Sequence, residues 1–186
     1  MSIERFLEED FVVLSDLIRL HGQERPDHAA LIQDDRTVTY GELNALMDRV
    51  AAGLQRDGLK SRDVIAICAL TSIEYAVTFL GALRAGVAVA PLAPSSTPES
   101  LAVMLADCGA KLFFLDAGVA REIEPVAGEI KAQRISLDNS AAGRAFYDWL
   151  PGEDAKPEPV AIAPLLPFNI IYSSGTTGAP KGIIQS

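Results

Sequence analysis

The chain has 186 residues, 49% hydrophobic and 22% charged, which is typical of one globular domain or of one domain with part of a second. Its net charge of −9 argues against nucleic acid or an anionic membrane as the main partner, because both attract clustered lysine and arginine. The acidic first ten residues and the short apolar runs predict neither a signal peptide nor a membrane span. Two cysteines, Cys68 and Cys108, lie in apolar patterns, and we expect a reducing, cytoplasmic setting.

The first third of the chain predicts two helices on either side of a β-hairpin. Thr39 followed three residues later by Glu42 has the spacing of a capping box, which predicts that a helix begins there. Apolar periodicity and turn residues set the other boundaries. The predicted elements are a helix over 11–23, strands over 28–33 and 37–39, and a helix from 40 that ends at Gly58.

The middle of the chain alternates apolar strands with helices. Residues 64–70 are a continuous apolar run, which is typical of a strand covered on both faces. Thr71 with Glu74 predicts a second capping box, and Thr97 with Pro98 predicts another helix start. The predicted strands are 64–70, 87–90 and 111–115, and the predicted helices are 73–84 and 98–108. This order predicts an α/β fold with a mostly parallel sheet flanked by helices.

The last part of the chain has weaker patterns. They predict a helix over 119–130, a strand over 134–137, a short helix within 141–150 and a strand over 168–172. Five prolines lie between 151 and 167, which indicates a surface connection. We therefore predict an α/β subdomain over 1–150, a proline-rich connection over 151–167, and a strand and loop over 168–186 that open a second subdomain.

The segment from Ser173 to Gly182 has a composition suited to binding an anion. It contains four hydroxyl residues, three glycines and one lysine. Glycine lets the backbone approach a ligand closely, successive amides can point at one anion, and hydroxyls and lysine add donors for phosphate oxygens. The spacing matches neither the P-loop nor the dinucleotide fingerprint. Composition alone leaves a flexible surface turn as the alternative.

The ordered string from Tyr172 to Gly182 reads Tyr-Ser-Ser-Gly-Thr-Thr-Gly-Ala-Pro-Lys-Gly. It resembles the signature of the adenylate-forming superfamily, which includes acyl- and aryl-CoA synthetases, luciferases and peptide-synthetase adenylation domains. Residues 39–43, 58–64 and 83–92 resemble further family segments in the same order, although Arg62 stands where glycine is usual. The resemblance implies the first subdomain of the large N-terminal domain of such an enzyme.

The resemblance also implies a two-step reaction and its cofactors. A carboxylic acid reacts with ATP, assisted by Mg²⁺, to give an acyl-adenylate, and a thiol, usually that of coenzyme A, then displaces AMP. Lys181 is the implied catalytic residue, which neutralises charge on the phosphates. The residues implied to bind ATP are Ser173, Ser174, Gly175, Thr176, Thr177, Gly178 and Lys181. No residue of this chain is implied as a metal ligand.

Family members are several times longer, which predicts that this chain is an N-terminal part, inactive alone, whose partner is the remaining C-terminal part of the same enzyme. Two other functions stay open at this stage. One is a non-catalytic nucleotide-binding or assembly module, and the other is an adenylation domain that serves a carrier protein. An aryl acid, a fatty acid and a short organic acid are all possible substrates.

Overall fold

The computed structural model of the chain describes residues 3–173 and 180–186. Its helices are α1 Ile3–Phe6, α2 Leu14–Glu24, α3 Tyr40–Arg56, α4 Ile73–Arg84, α5 Pro98–Cys108, α6 Ala117–Glu122 and α7 Phe146–Trp149, with a 3₁₀ helix at Glu124–Glu129. Its strands are β1 Ala29–Gln33, β2 Arg36–Thr39, β3 Val64–Cys68, β4 Ala88–Pro91, β5 Leu112–Leu115, β6 Gln133–Ser136, β7 Arg144–Ala145, β8 Asn169–Ser173 and β9 Lys181–Gln185. Among the described residues, no helix has the length and apolar character needed to cross a bilayer.

Seven strands form one sheet in the order β7-β6-β5-β3-β4-β8-β9, and β1 and β2 form a separate antiparallel hairpin. Every neighbouring pair in the large sheet is parallel except β8 with β9. The predicted α/β fold with a mostly parallel sheet is confirmed. The chain passes from β3 to β4 on one side and then to β5 on the other, so the strand order reverses between β3 and β5.

Helices cover both faces of the sheet because side chains along each strand alternate between the faces. Ile65 and Ile67 of β3 pack with α3, α4 and Trp149 in one cluster. Ala66 and Cys68 of the same strand pack with α5 and α6 in the other. Burial on both faces explains why β3 has no alternating polar residues.

A buried arginine joins three helices on the first face. The guanidinium of Arg84 in α4 donates to Asp48 Oδ1 at 2.7 Å, to the Asn44 carbonyl at 2.8 Å and to the Ser15 carbonyl at 3.1 Å. Lys156 reaches the other oxygen of Asp48 at 2.8 Å. This network attaches the proline-rich connection to the helices, and the connection then leads the chain to β8.

Several local predictions differ from the structure. The predicted helix over 119–130 is divided into α6 and the 3₁₀ helix, because Pro125 lacks the N–H that an α-helix needs. The cap of α4 is Ser72, whose hydroxyl accepts from the Tyr75 amide at 3.1 Å, and not Thr71. Glu74 therefore does not close a capping box. The capping box of α3 is confirmed, since Thr39 and Glu42 bond to each other's backbone.

The segment predicted to open a second subdomain joins the same sheet as the rest. Strand β8 pairs with β4 at Val89 and Asn169, and β9 pairs with β8 over its whole length. The division of the chain at 151–167 stays a prediction.

Candidate nucleotide-binding site

Strand β8 ends at the carboxyl edge of the sheet, directly before the predicted phosphate loop in the sequence. Because β8 is parallel to β4, its last residue, Ser173, lies towards the same edge as the carboxyl ends of the parallel strands. Ligands of open α/β sheets bind outside this edge. Burial of Asn169 and Ile170 holds the start of the strand, and Asn169 Nδ2 donates to Gln185 Oε1 at 2.9 Å.

The two described residues of the predicted site face each other across the hairpin. Ser173 is the register partner of Lys181, the first residue of β9, and both are exposed. The hairpin thus brings a hydroxyl and an ammonium to the two ends of the loop. The other predicted residues, Ser174, Gly175, Thr176, Thr177 and Gly178, lie outside the described residues.

The charge of Lys181 is not compensated by a carboxylate in the part of the chain that the structure describes. Lys111 pairs with Asp63 at 2.7 Å and Lys156 pairs with Asp48, but no ion pair of residues 3–173 or 180–186 includes Lys181. An exposed and uncompensated ammonium on a long stem is suited to a polyphosphate. The predicted role of Lys181 is therefore compatible with its position.

Tyr172, next to the loop, contacts both the neighbouring helix and the returning strand. Its hydroxyl donates to the carboxylate of Asp107 at 2.5 Å and lies 3.2 Å from the carbonyl of Met104, both in α5. Burial raises the pKa of the Tyr172 phenol, and the hydrogen bond to Asp107 raises this pKa further, so the phenol stays a donor. A Cβ on Gly182 would lie 3.2 Å from Tyr172 Cζ, so the ring lies directly against this glycine.

Sequence reasoning missed Asp107 and β9. Asp107 lies in the last turn of α5, where a carboxylate is unfavourable beside the helix carbonyls. That conflict with the helix dipole is the one signal that could have drawn attention to it. Strand β9 has no buried residue, so it lacks the alternating pattern by which strands are recognised.

A cleft of about 740 Å³ lies outside the carboxyl ends of β3, β5 and β6. Four carboxylates line it, and three of them, Asp116, Glu74 and Asp138, are already engaged in hydrogen bonds. Asp116 accepts from the Leu70 and Val119 amides, and Glu74 accepts from Arg36 and Tyr147. These bonds hold the loops after the strands together, which makes the three carboxylates structural groups.

The last of the three engaged carboxylates, Asp138, has a lowered pKa. Burial opposes its ionisation, but hydrogen bonds from Ser140, from the Ala117 amide and from the Ser136 hydroxyl outweigh burial and lower its pKa to about 2. Among residues 3–173 and 180–186, no group of three or more histidine, cysteine or acidic side chains could hold a metal ion.

The family model described as AMP-binding enzyme matches residues 18–186. The chain belongs to this family of AMP-binding enzymes. Among the solved structures, the anthranilate CoA ligase AuaEII in complex with anthranoyl-AMP aligns with a TM-score of 0.84 at 21% identity, over 100% of this chain and 36% of the other. At this identity the likeness shows the fold, and that fold is the N-terminal domain of adenylate-forming enzymes.

Three curated proteins show the range of relatives of this AMP-binding chain. Polyketide synthase PksN of Bacillus subtilis is 34% identical over 166 residues, 87% of this chain and 3% of PksN. The 3-hydroxybenzoate--CoA ligase of Aromatoleum sp. is 31% identical over 172 residues, covering 86% of this chain and 31% of that enzyme. The fatty acid--[acyl-carrier-protein] ligase ScoC of Streptomyces coeruleorubidus is 27% identical over 183 residues, 98% of this chain and 34% of ScoC. The chain therefore spans about a third or less of these relatives.

The two described residues beside the loop, Ser173 and Lys181, have chemistry that suits a nucleoside triphosphate. Ser173 offers a hydroxyl donor, Lys181 offers a charge, and the edge of the sheet leaves both open to a ligand. Magnesium prefers oxygen ligands and keeps phosphate oxygens and water in nucleotide sites. Ser173 and Lys181 are therefore chemically compatible with ATP·Mg²⁺.

Proposed function

We propose that this chain is the phosphate-binding N-terminal part of an ATP-dependent ligase that activates a carboxylic acid as acyl-AMP and transfers it to coenzyme A. The observation that carries the proposal is the register pair Ser173 and Lys181, which flanks the family's signature loop at the carboxyl edge of the sheet. Membership of the AMP-binding family supports the ATP chemistry, and the likeness to a CoA ligase supports the acceptor.

In the proposed reaction, a carboxylate oxygen attacks the α-phosphorus of ATP, and the bond to the bridging oxygen breaks. The products are acyl-AMP and pyrophosphate, which leaves with the electron pair of that bond. Ser173 would donate a hydrogen bond to a phosphate oxygen, and Lys181 would offset the charge that grows on the departing pyrophosphate. Mg²⁺ bound to the phosphates would share this charge. In the second step a thiol attacks the acyl carbon and AMP leaves.

A carrier-protein thiol is the second candidate acceptor. The relative ScoC is named a fatty acid--[acyl-carrier-protein] ligase, and its alignment covers 98% of this chain. The first step is the same for both acceptors, so the loop and Lys181 have the same role in either case. The two candidates differ only in the thiol that receives the acyl group.

ATP–pyrophosphate exchange tests the proposal. The protein that contains this chain, at the length of its CoA-ligase relatives, is assayed with aryl, fatty and short organic acids. We expect exchange with one of these classes, and no exchange by residues 1–186 alone. No exchange by the longer protein with any acid would refute the proposed activity.

The acceptor is then tested by offering coenzyme A or a phosphopantetheinylated carrier protein to the preformed acyl-AMP. Release of AMP with coenzyme A supports the main proposal, and release only with the carrier supports the second.

The cytoplasmic location belongs to the same proposal. It is supported by two free cysteines, Cys68 and Cys108, that burial keeps from ionising by raising the pKa of each thiol.

A further inference from the structure

The hairpin that carries the phosphate loop has little support from the sheet itself. Strand β8 is in register with β4 at one position, where Val89 lies opposite Asn169. Beyond Asn169 the strand continues towards the loop, and its partner β9 is an edge strand with every residue exposed. Main-chain bonds between β8 and β9 hold the hairpin together, and burial of Asn169 and Ile170 holds only the start of β8 against the domain.

One further side chain, nearer the loop, holds the other end of β8. Tyr172 directly precedes Ser173, and its hydroxyl donates to Asp107 and lies 3.2 Å from the Met104 carbonyl, both in α5. Helix α5 is itself held by buried residues such as Leu101 and Leu105 against the sheet. The phenol therefore connects the loop end of β8 to a packed helix.

The same ring also determines how β9 lies against β8. Gly182 is the register partner of Tyr172, and a Cβ at this position would lie 3.1 Å from Ile170 Cγ2 and 3.2 Å from Tyr172 Cζ. Such distances are shorter than ordinary carbon–carbon contacts of about 3.5–4.0 Å. Glycine at residue 182 leaves room for the ring against β9, and any larger residue there would push the ring or the strand aside.

We infer that Tyr172 is a positioning residue for the adenylation step, which holds Ser173 and Lys181 in place through its hydrogen bond to Asp107. The inference rests on the proposed function. Catalysis that depends on charge placement is sensitive to displacements well below 1 Å, so the rate should fall when the bond that holds the loop end of β8 is removed. Because its hydroxyl is engaged with α5, Tyr172 is assigned no contact with the reacting atoms.

The test compares Tyr172→Phe with Tyr147→Phe in the longer protein. Each substitution removes a hydroxyl that donates to a carboxylate. Tyr147 donates to Glu74 Oε1 at 2.8 Å. Tyr147 follows β7, which lies at the edge of the sheet opposite β9, so it is distant from the hairpin. We expect Tyr172→Phe to lower kcat/KM for ATP in pyrophosphate exchange by about tenfold or more, as for a lost bond to a charged group. The KM for the carboxylic acid stays unchanged, and Tyr147→Phe leaves both values unchanged.

Substitutions at Asp107 test whether the bond itself is responsible. Asp107→Ala should reproduce the loss seen in Tyr172→Phe, and Asp107→Asn, which keeps an acceptor oxygen, should recover most of it. The double variant Tyr172→Phe with Asp107→Ala should be no slower than either single variant, because both remove the same contact. Additive losses would overturn the inference.

Hydrogen exchange separates this inference from the proposed function. In residues 1–186, Tyr172→Phe should speed amide exchange in β8 and β9 by about tenfold and leave β3 and β5 unchanged, whether or not the protein is active. Unchanged exchange in the hairpin, or normal ATP kinetics in an active Tyr172→Phe enzyme, would overturn the positioning role alone. An inactive wild-type enzyme would overturn the proposed function. The amide hydrogen exchange would then decide by itself whether Tyr172 holds the hairpin in place.

Discussion

Replacing Gly81 with alanine should destabilise the chain, although helix propensity alone favours the change. Gly81 lies inside α4, where alanine is preferred by about 0.8–1.0 kcal/mol. In the structure, however, α4 crosses α3 at this glycine. A Cβ on residue 81 would lie 2.5 Å from Val50 Cβ and 2.6 Å from Val50 Cγ1.

The size of the effect follows from that overlap. Carbon atoms pack at about 3.5–4.0 Å, so the two helices must separate by roughly 1 Å to admit the methyl group. Val50 is fully buried and cannot turn away into solvent. Overpacking costs about 1–3 kcal/mol, and an overlap of about 1 Å with a buried side chain places this site in the upper part of that range, at about 2–3 kcal/mol, from which a propensity gain of about 1 kcal/mol is subtracted. We expect a net loss of about 1–2 kcal/mol, which lowers Tm by about 2–8 °C for a chain of this length.

Thermal and urea unfolding of residues 1–186 measure the effect. Gly128→Ala is the control, because a Cβ there meets nothing within 4 Å, and its stability should stay within about 0.5 kcal/mol of the wild type. Adding Val50→Ala removes one of the two overlaps, so the double variant should be less destabilised than the sum of the single variants. A Gly81→Ala chain as stable as the wild type would show that the crossing of α3 and α4 is looser than described.

Three further predictions concern charged groups. In the longer enzyme, Lys181→Ala should slow pyrophosphate exchange more than it weakens binding of the carboxylic acid, and equal exchange rates would contradict its role. Asp48→Ala should cost about 3–5 kcal/mol in urea unfolding because it leaves Arg84 buried and unpaired, whereas Lys156→Ala, at the exposed side of the pair, should cost less than about 1 kcal/mol. Similar losses for both would refute this distinction. The lowered pKa of Asp138 contributes stability that is complete above its ordinary pKa of 3.8 and is lost as pH falls towards 2. Asp138→Asn should therefore lose less stability than the wild type between pH 5 and 2.5, and parallel losses would contradict the shift.

The parallel core of the fold was predictable because its signals are local. Strands β3 and β5 are short apolar runs between helix caps and glycines, and their burial on both faces leaves that pattern in the sequence. The capping box at Thr39 is likewise contained within four residues. Strand β9 and the two-residue strand β7 were not predicted, because each is a strand only through its pairing with a neighbour.

The candidate site divides in the same way. The eleven residues from Tyr172 to Gly182 were enough to indicate the family and the predicted phosphate-binding roles of Ser173 and Lys181. Only the tertiary structure places these two residues opposite each other and joins Tyr172 to Asp107, which lies 65 positions away. Local periodicity carries information about which face of an element is buried, and it carries none about which element lies against that face. The crossing at Gly81 and the anchor at Asp107 depend on that second kind of information, so sequence patterns alone could not reveal them.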